Sequence, residues 1–139
     1  GEKGILGSQM GDGAIPAHVY RESLVVGRPR LIAAYESYFA DNTLSALVIP
    51  TTPLPARPIG QDETVELNGE QVPTFFTYIR NTDVASNAGV PCLSVPAGLT
   101  ADGLPVGIEF VGATGDDATV LGIGKSYEAA RGPVPGPNL

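Results

Sequence analysis

Between Asn87 and Gly107 the chain reads NAGVPCLSVPAGLTADGLPVG, with a glycine or proline every few residues. Neither residue type does acid–base work. Glycines supply positive φ or close approach, and prolines fix where strands begin and end, so this stretch specifies a tightly bent backbone. Within it, Cys92 to Pro96 and Val106 to Val111 are strand-like and are separated by a turn-rich segment, Thr100 to Gly103. The two are expected to pair as an antiparallel hairpin.

The flanking segments supply helices. From Pro16 to Asp41 the pattern is helical but is expected to break once, because Pro29 lacks a backbone donor and follows the poor helix former Gly27. In the second helix Leu31, Ile32, Tyr35, Tyr38 and Phe39 form one apolar face. Asp41, Asn42 and Thr43 end it, and Leu44 to Ile49 is a continuous apolar run of the kind that suits a strand buried on both faces. The segment Thr51 to Gly60, with Pro53, Pro55 and Pro58, predicts an extended, ordered surface loop.

Thr64 to Val72 predicts a hairpin turning at Asn68 and Gly69, the pair best able to adopt positive φ. Pro73 and Thr74 open a helix through Phe75, Phe76 and Ile79 that stops at Gly89, with a break expected where Asn81 or Thr82 could cap a second short helix. Asp116 to Arg131 predicts a last helix with Val120, Leu121, Gly124 and Tyr127 on one side, and Gly122 and Gly124 allowing close approach to a sheet. The Pro/Gly-rich tail, 132–139, should be a surface strap or disordered.

Composition bounds the function. The 139 residues, 42% hydrophobic and 17% charged, suit one folded domain, which at this size buries about 65 to 70% of its unfolded surface. A net charge of −7 without a basic cluster argues against nucleic acid as a partner. A lone cysteine, Cys92, is expected to pack as a small hydrophobe, and with no internal disulfide a reducing, cytoplasmic setting fits best. No apolar stretch nears the roughly 20 residues of a membrane helix. The chain starts Gly1-Glu2-Lys3 without Met, which is expected of an interior segment of a longer polypeptide.

Nothing in the sequence assembles a nucleophile with its base. The single histidine, His18, sits on a helix near the start without metal or triad spacing, and reads as a surface or packing residue. Gly124-Lys125-Ser126 imitates the end of a phosphate loop, but Thr119 stands where that motif needs glycine. Asp116 and Asp117 are explained by a helix start. Glu63, Glu66 and Glu70 are explained by an exposed hairpin edge. No metal site and no cofactor is expected.

The order Asn87-Ala88-Gly89-Val90-Pro91, then Ser94-Val95-Pro96-Ala97-Gly98, then Gly103-Leu104-Pro105-Val106-Gly107 closely resembles the C-terminal core of the amidase-signature enzymes. Val48-Ile49-Pro50-Thr51-Thr52-Pro53 resembles that family's strand and Pro-Thr loop, and the likeness runs from about Pro16 to Arg131. Val72-Pro73-Thr74-Phe75 and Ile79-Arg80-Asn81-Thr82 look most like the indoleacetamide and mandelamide hydrolase group.

The resemblance implies an α/β fold, a mixed β-sheet surrounded by helices, of which 1–139 is a single incomplete domain, the C-terminal part. It implies cleavage of a carboxamide, such as an arylacetamide, to acid and ammonia. The serine nucleophile, the second serine on a cis peptide and the lysine base of the family all precede this region. The chain therefore carries no catalytic residue and should be inactive without the N-terminal part of the parent amidase. Phe75, Phe76, Ile79, Arg80, Asn81 and Thr82 become candidate substrate-binding residues, although the two phenylalanines could equally be core. Ser94 is expected to be a buried, hydrogen-bonded hydroxyl. Two alternatives remain, a non-catalytic binding or assembly module on the same scaffold and a glutamine-dependent amidotransferase A subunit, against which Arg80 carries the wrong charge. A part of a larger sheet would also expose apolar edges, so self-association is expected.

Overall fold

The computed structural model describes residues 11–134. Its centre is an antiparallel sheet of β1 (Leu47–Pro50), β4 (Cys92–Leu99) and β5 (Pro105–Val111), in the spatial order β1-β5-β4. The expected pairing of the Gly/Pro-rich strands is present: Cys92 lies opposite Val111 and Ser94 opposite Glu109, with an irregularity between Pro96 and Gly98. On the other edge of β5, Leu47 meets Val111 and Ile49 meets Glu109. A separate hairpin joins β2 (Thr64–Leu67) to β3 (Glu70–Pro73) through Asn68 and Gly69, whose φ angles of 54° and 86° are those a two-residue turn of this kind requires.

Helices cover both faces of the sheet. Since opposed residues share a face, Leu47, Ile49 and Val111 point together toward α2 (Arg28–Asn42) and α3 (Thr74–Ala88), where they pack with Ala85, Ala88, Val90, Leu31, Ile32 and Tyr35. The small Ala85 and Ala88, both buried, let the helix lie close. On the reverse face Leu93, Val95, Ile108 and Phe110 pack against Val120, Ile123 and Tyr127 of α4 (Asp117–Arg131), with Phe110 and Tyr127 meeting edge to face at 5.5 Å.

Several expectations are corrected. The break at Gly27-Pro29 does not occur. The short α1 (Ala17–Glu22) runs through a π-helical turn, Ser23–Gly27, straight into α2, and Gly27 and Arg28 keep right-handed helical angles. A widened turn ahead of Pro29 accommodates the missing donor without stopping the helix. Nor does α3 break at Asn81 or Thr82, because both side chains are used otherwise: Thr82 Oγ1 donates to Ile79 O at 3.2 Å, and Asn81 Nδ2 donates to Pro50 O at 2.7 Å. The helix ends at Gly89, with φ 74°. The apolar run at β1 is not buried on both faces, since Val48 is 59% exposed. Tyr38 and Leu121, assigned to apolar faces, are exposed too. Of the tail, only residues as far as Val134 are described; residues 1–10 and 135–139 lie outside the described part.

The two helical glycines of α4 differ. A Cβ on Gly124 would overlap the side chain of Leu93, whereas one on Gly122 would meet nothing within 4 Å. Gly124→Val is therefore expected to destabilise the chain by about 1 to 3 kcal/mol, and Gly122→Ala to stabilise it by roughly 0.5 to 1 kcal/mol through helix propensity. Urea denaturation of the two variants checks both signs.

Candidate functional site

The candidate residues lie on α3 and on the loop it holds. Phe75 and Phe76 are 45% and 68% exposed in this chain and meet edge to face at 5.5 Å. Arg80 is exposed, and Ile79, Asn81 and Thr82 are half-buried. Helical spacing sends these side chains in different directions. Asn81 turns to the loop after β1, while Thr82 bonds back within its own helix. Thr77, fully buried between them, donates to Pro73 O at 2.8 Å.

Tyr78 was not singled out by the sequence, yet it faces the same loop as Asn81. Its hydroxyl donates to Pro55 O at 2.6 Å. The signal available was its position, one helical turn before Asn81 and Thr82. Beside these bonds Thr51 N donates to Gly107 O at 3.1 Å and Thr52 Oγ1 to Leu54 O at 2.8 Å. The Pro-rich segment is thus an ordered loop, as expected, tied at several points along its first half.

Where that loop leaves the sheet, Thr51 Oγ1 and Ser94 Oγ share a 2.6 Å hydrogen bond across the middle strand. Gly107 lies beneath them. A Cβ there would come within 2.9 Å of Thr51 Oγ1 and 3.2 Å of Ser94 Oγ. Ser94 is therefore hydrogen-bonded as expected, but it is exposed instead of buried. Its partner is another hydroxyl, which cannot serve as a strong base.

One buried acid was missed. Glu109, in the middle of β5, is only 3% exposed, and its Oε1 has no hydrogen-bond partner. Burial pushes its carboxyl above the usual carboxylate range, an effect partly opposed by a hydrogen bond from Cys92. Cys92 is exposed, contrary to its expected place as a small packed hydrophobe, because its strand lies at an edge of the sheet. Its thiol is pushed up by burial of its inner side, then by the charge of Glu109. Tyr35 is likewise raised, by burial first and then by Cys92 and Glu109. All three shifts favour the neutral forms, the reverse of what an activated nucleophile needs.

His18 is exposed on α1, and Lys125 is exposed inside α4, far from any strand-to-helix phosphate loop. Asp116 sits at the N-cap of α4 without a side-chain capping bond, and Asp117 lies in its first turn. Glu63, Glu66 and Glu70 are exposed along the β2–β3 hairpin. Among the described residues no group of three or more His, Cys, Asp or Glu could hold a metal ion, and no helix is long and apolar enough to cross a membrane.

The described residues thus form a scaffold of bent strands with a loop and helix wall and, among them, no assembled nucleophile. The Amidase family model matches residues 7–121, and the chain belongs to that family. It is 46% identical over 121 residues to the indoleacetamide hydrolase of Allorhizobium ampelinum, covering 87% of this chain and 26% of that protein. It is 39% identical over 137 residues to the mandelamide hydrolase of Pseudomonas putida, covering 95% of this chain and 25% of that protein. A solved amidase structure superposes with a TM-score of 0.66 and 33% identity over 85% of this chain and 26% of its own. The chain thus spans about a quarter of the length of the curated relatives it matches, and its mixed α/β architecture is part of the amidase fold.

Glu109 gives a pH-dependent stability with a defined sign. Its carboxyl holds a proton more tightly in the folded chain than in the unfolded one, so stability falls as pH rises from the ordinary carboxylate range through the raised folded value. Glu109→Gln removes that ionisation. The variant's melting temperature is expected to fall less than the wild type's between pH 5 and pH 8. Thermal unfolding followed by circular dichroism at both pH values measures it.

Proposed function

We propose that this chain is the C-terminal part of an amide hydrolase that cleaves a carboxamide, an arylacetamide in particular, to the acid and ammonia. The observation that carries the reading is the 46% identity to an indoleacetamide hydrolase over 87% of the chain. Two relatives with aryl-bearing names, the indoleacetamide and mandelamide hydrolases, support the substrate class.

In this reading the serine nucleophile, the second serine and the lysine base lie outside the chain, in the N-terminal part of the parent enzyme, which is its required partner. The amide carbon is attacked by the serine, ammonia leaves with a proton from the catalytic groups, and water releases the acid from the acyl-enzyme. The 139 residues form a single incomplete domain that contributes scaffold and one wall of the pocket. On that wall Phe75 and Phe76 offer exposed aromatic surface to an aryl group, with Ile79 beside them and Arg80, Asn81 or Thr82 available to orient the substrate. Exposed apolar residues such as Val25, Val48 and Leu121 support burial against the N-terminal part, or self-association in its absence. The single cysteine supports a cytoplasmic setting.

The test joins this chain to the N-terminal three quarters of the Allorhizobium ampelinum hydrolase and assays indole-3-acetamide. The chain alone is expected to give background rates only, and the joined protein to release ammonia and indole-3-acetate. Phe76→Ala should lower kcat/KM about tenfold to a hundredfold, as loss of an aromatic contact worth roughly 1.5 to 3 kcal/mol would. Turnover by the chain alone would overturn the reading. Binding of the amide without turnover in the joined protein would favour a non-catalytic module instead.

A further inference from the structure

The β2–β3 hairpin turns on Asn68 and Gly69, and both residues are exposed. Gly69 holds a φ of 86°, and nothing stands within 4 Å of where its Cβ would be. No side chain therefore crowds the glycine that follows the Asn68 amide. The other described asparagines are placed differently. Asn42, Asn81 and Asn87 lie on helices, and each gives its Nδ2 to a carbonyl in a hydrogen bond, at 2.8, 2.7 and 3.0 Å. Thr43, Thr82 and Ala88 follow them, so a side chain stands beside each next backbone nitrogen.

We propose that Asn68 is a site of self-modification, at which the Gly69 backbone nitrogen converts the side-chain amide to a carboxylate with water as the only co-reactant. The Gly69 nitrogen attacks Cγ of Asn68. The N–Cγ bond forms, the Cγ–Nδ2 bond breaks, and ammonia leaves with the proton that Gly69 gives up. Water then opens the five-membered imide at either carbonyl. One opening yields aspartate, and the other yields isoaspartate, whose backbone runs through Cβ and is one carbon longer. None of this depends on the amide hydrolase reading.

The fold sets the rate. Ring closure requires Asn68 to rotate out of the turn that pairs Leu67 with Glu70 and Val65 with Val72, so the reaction proceeds from locally opened hairpins. Its product then weakens what restrained it. A two-residue loop joins its strands because its backbone twist matches theirs, and an extra backbone carbon spoils the match. The new carboxylate also joins Glu63, Glu66 and Glu70 on one hairpin. Val65, 3% exposed, is held in place by that pairing. Since β3 passes directly into α3, whose Thr74 N donates to Glu63 O at 3.1 Å, loosening at the turn reaches the start of the helix.

The experiment holds the 139-residue chain at pH 8 in buffer and in urea, beside a free peptide of residues 66–71, and follows by peptide mapping the mass gained when NH2 becomes OH. Asn68 is expected to convert ahead of every other asparagine, severalfold more slowly in buffer than in the peptide, and at the peptide's rate in urea. Hydrogen exchange of the β2 and β3 amides is expected to quicken severalfold in the isoaspartate form, while that of α4 stays unchanged. An Asn68 still intact in buffer after the peptide has fully converted overturns the proposal. So does conversion as fast in buffer as in urea, or hairpin exchange that isoaspartate leaves unaltered. The joined protein is carried through the same steps, and it decides the outcome where the chain alone shows no cooperative urea transition.

Discussion

Everything in this structure hangs on β5, which is hydrogen-bonded along both edges, to β1 and to β4. Its residues alternate between the two helical layers: Phe110 and Ile108 face α4, while Val111 and Glu109 face α2 and α3. Burial of Phe110 and Val111 thus couples packing on both faces through a single strand. The same strand places Gly107 where the loop departs, so core and candidate site share one element. A disturbance of β5 would reach every helix that packs on the sheet.

The local turns were legible because they depend on backbone chemistry visible in the residues themselves. Asn68-Gly69 demanded a tight turn, and Gly89 demanded a helix stop; both positions carry positive φ. What misled were residues whose partners lie far away in sequence. Asn81 looked like a cap because the carbonyl it serves, Pro50 O, is 31 residues distant. Pro29 looked like a break because a π-helical turn is not marked by any residue pattern. Val48 looked buried because a run of apolar residues does not say how much of a sheet is present to cover it.

The candidate site was legible in part. The sequence named the α3 helix and the Pro-rich loop separately, but not that they meet, nor that Tyr78 and Asn81 join them. Tyr78 was hidden among more conspicuous neighbours. Glu109 carried a signal that was available, a lone acid at an alternating position within Val106 to Val111, where the strand period puts it on the face of Val111. Phe75 and Phe76 are exposed among the described residues, so nothing in this chain buries them.

The hydroxyl bridge over Gly107 has an evolutionary consequence. Thr51 follows the end of β1, Ser94 lies within β4 and Gly107 within β5, and the bridge closes only because the middle position carries no side chain. A methyl at Gly107 would crowd both hydroxyls at once, so drift at this position is blocked while they remain. The three positions should then be inherited as a set: lineages that trade the glycine for a larger residue would do so together with changes at Thr51 and Ser94, and across the family the substitutions should appear in company.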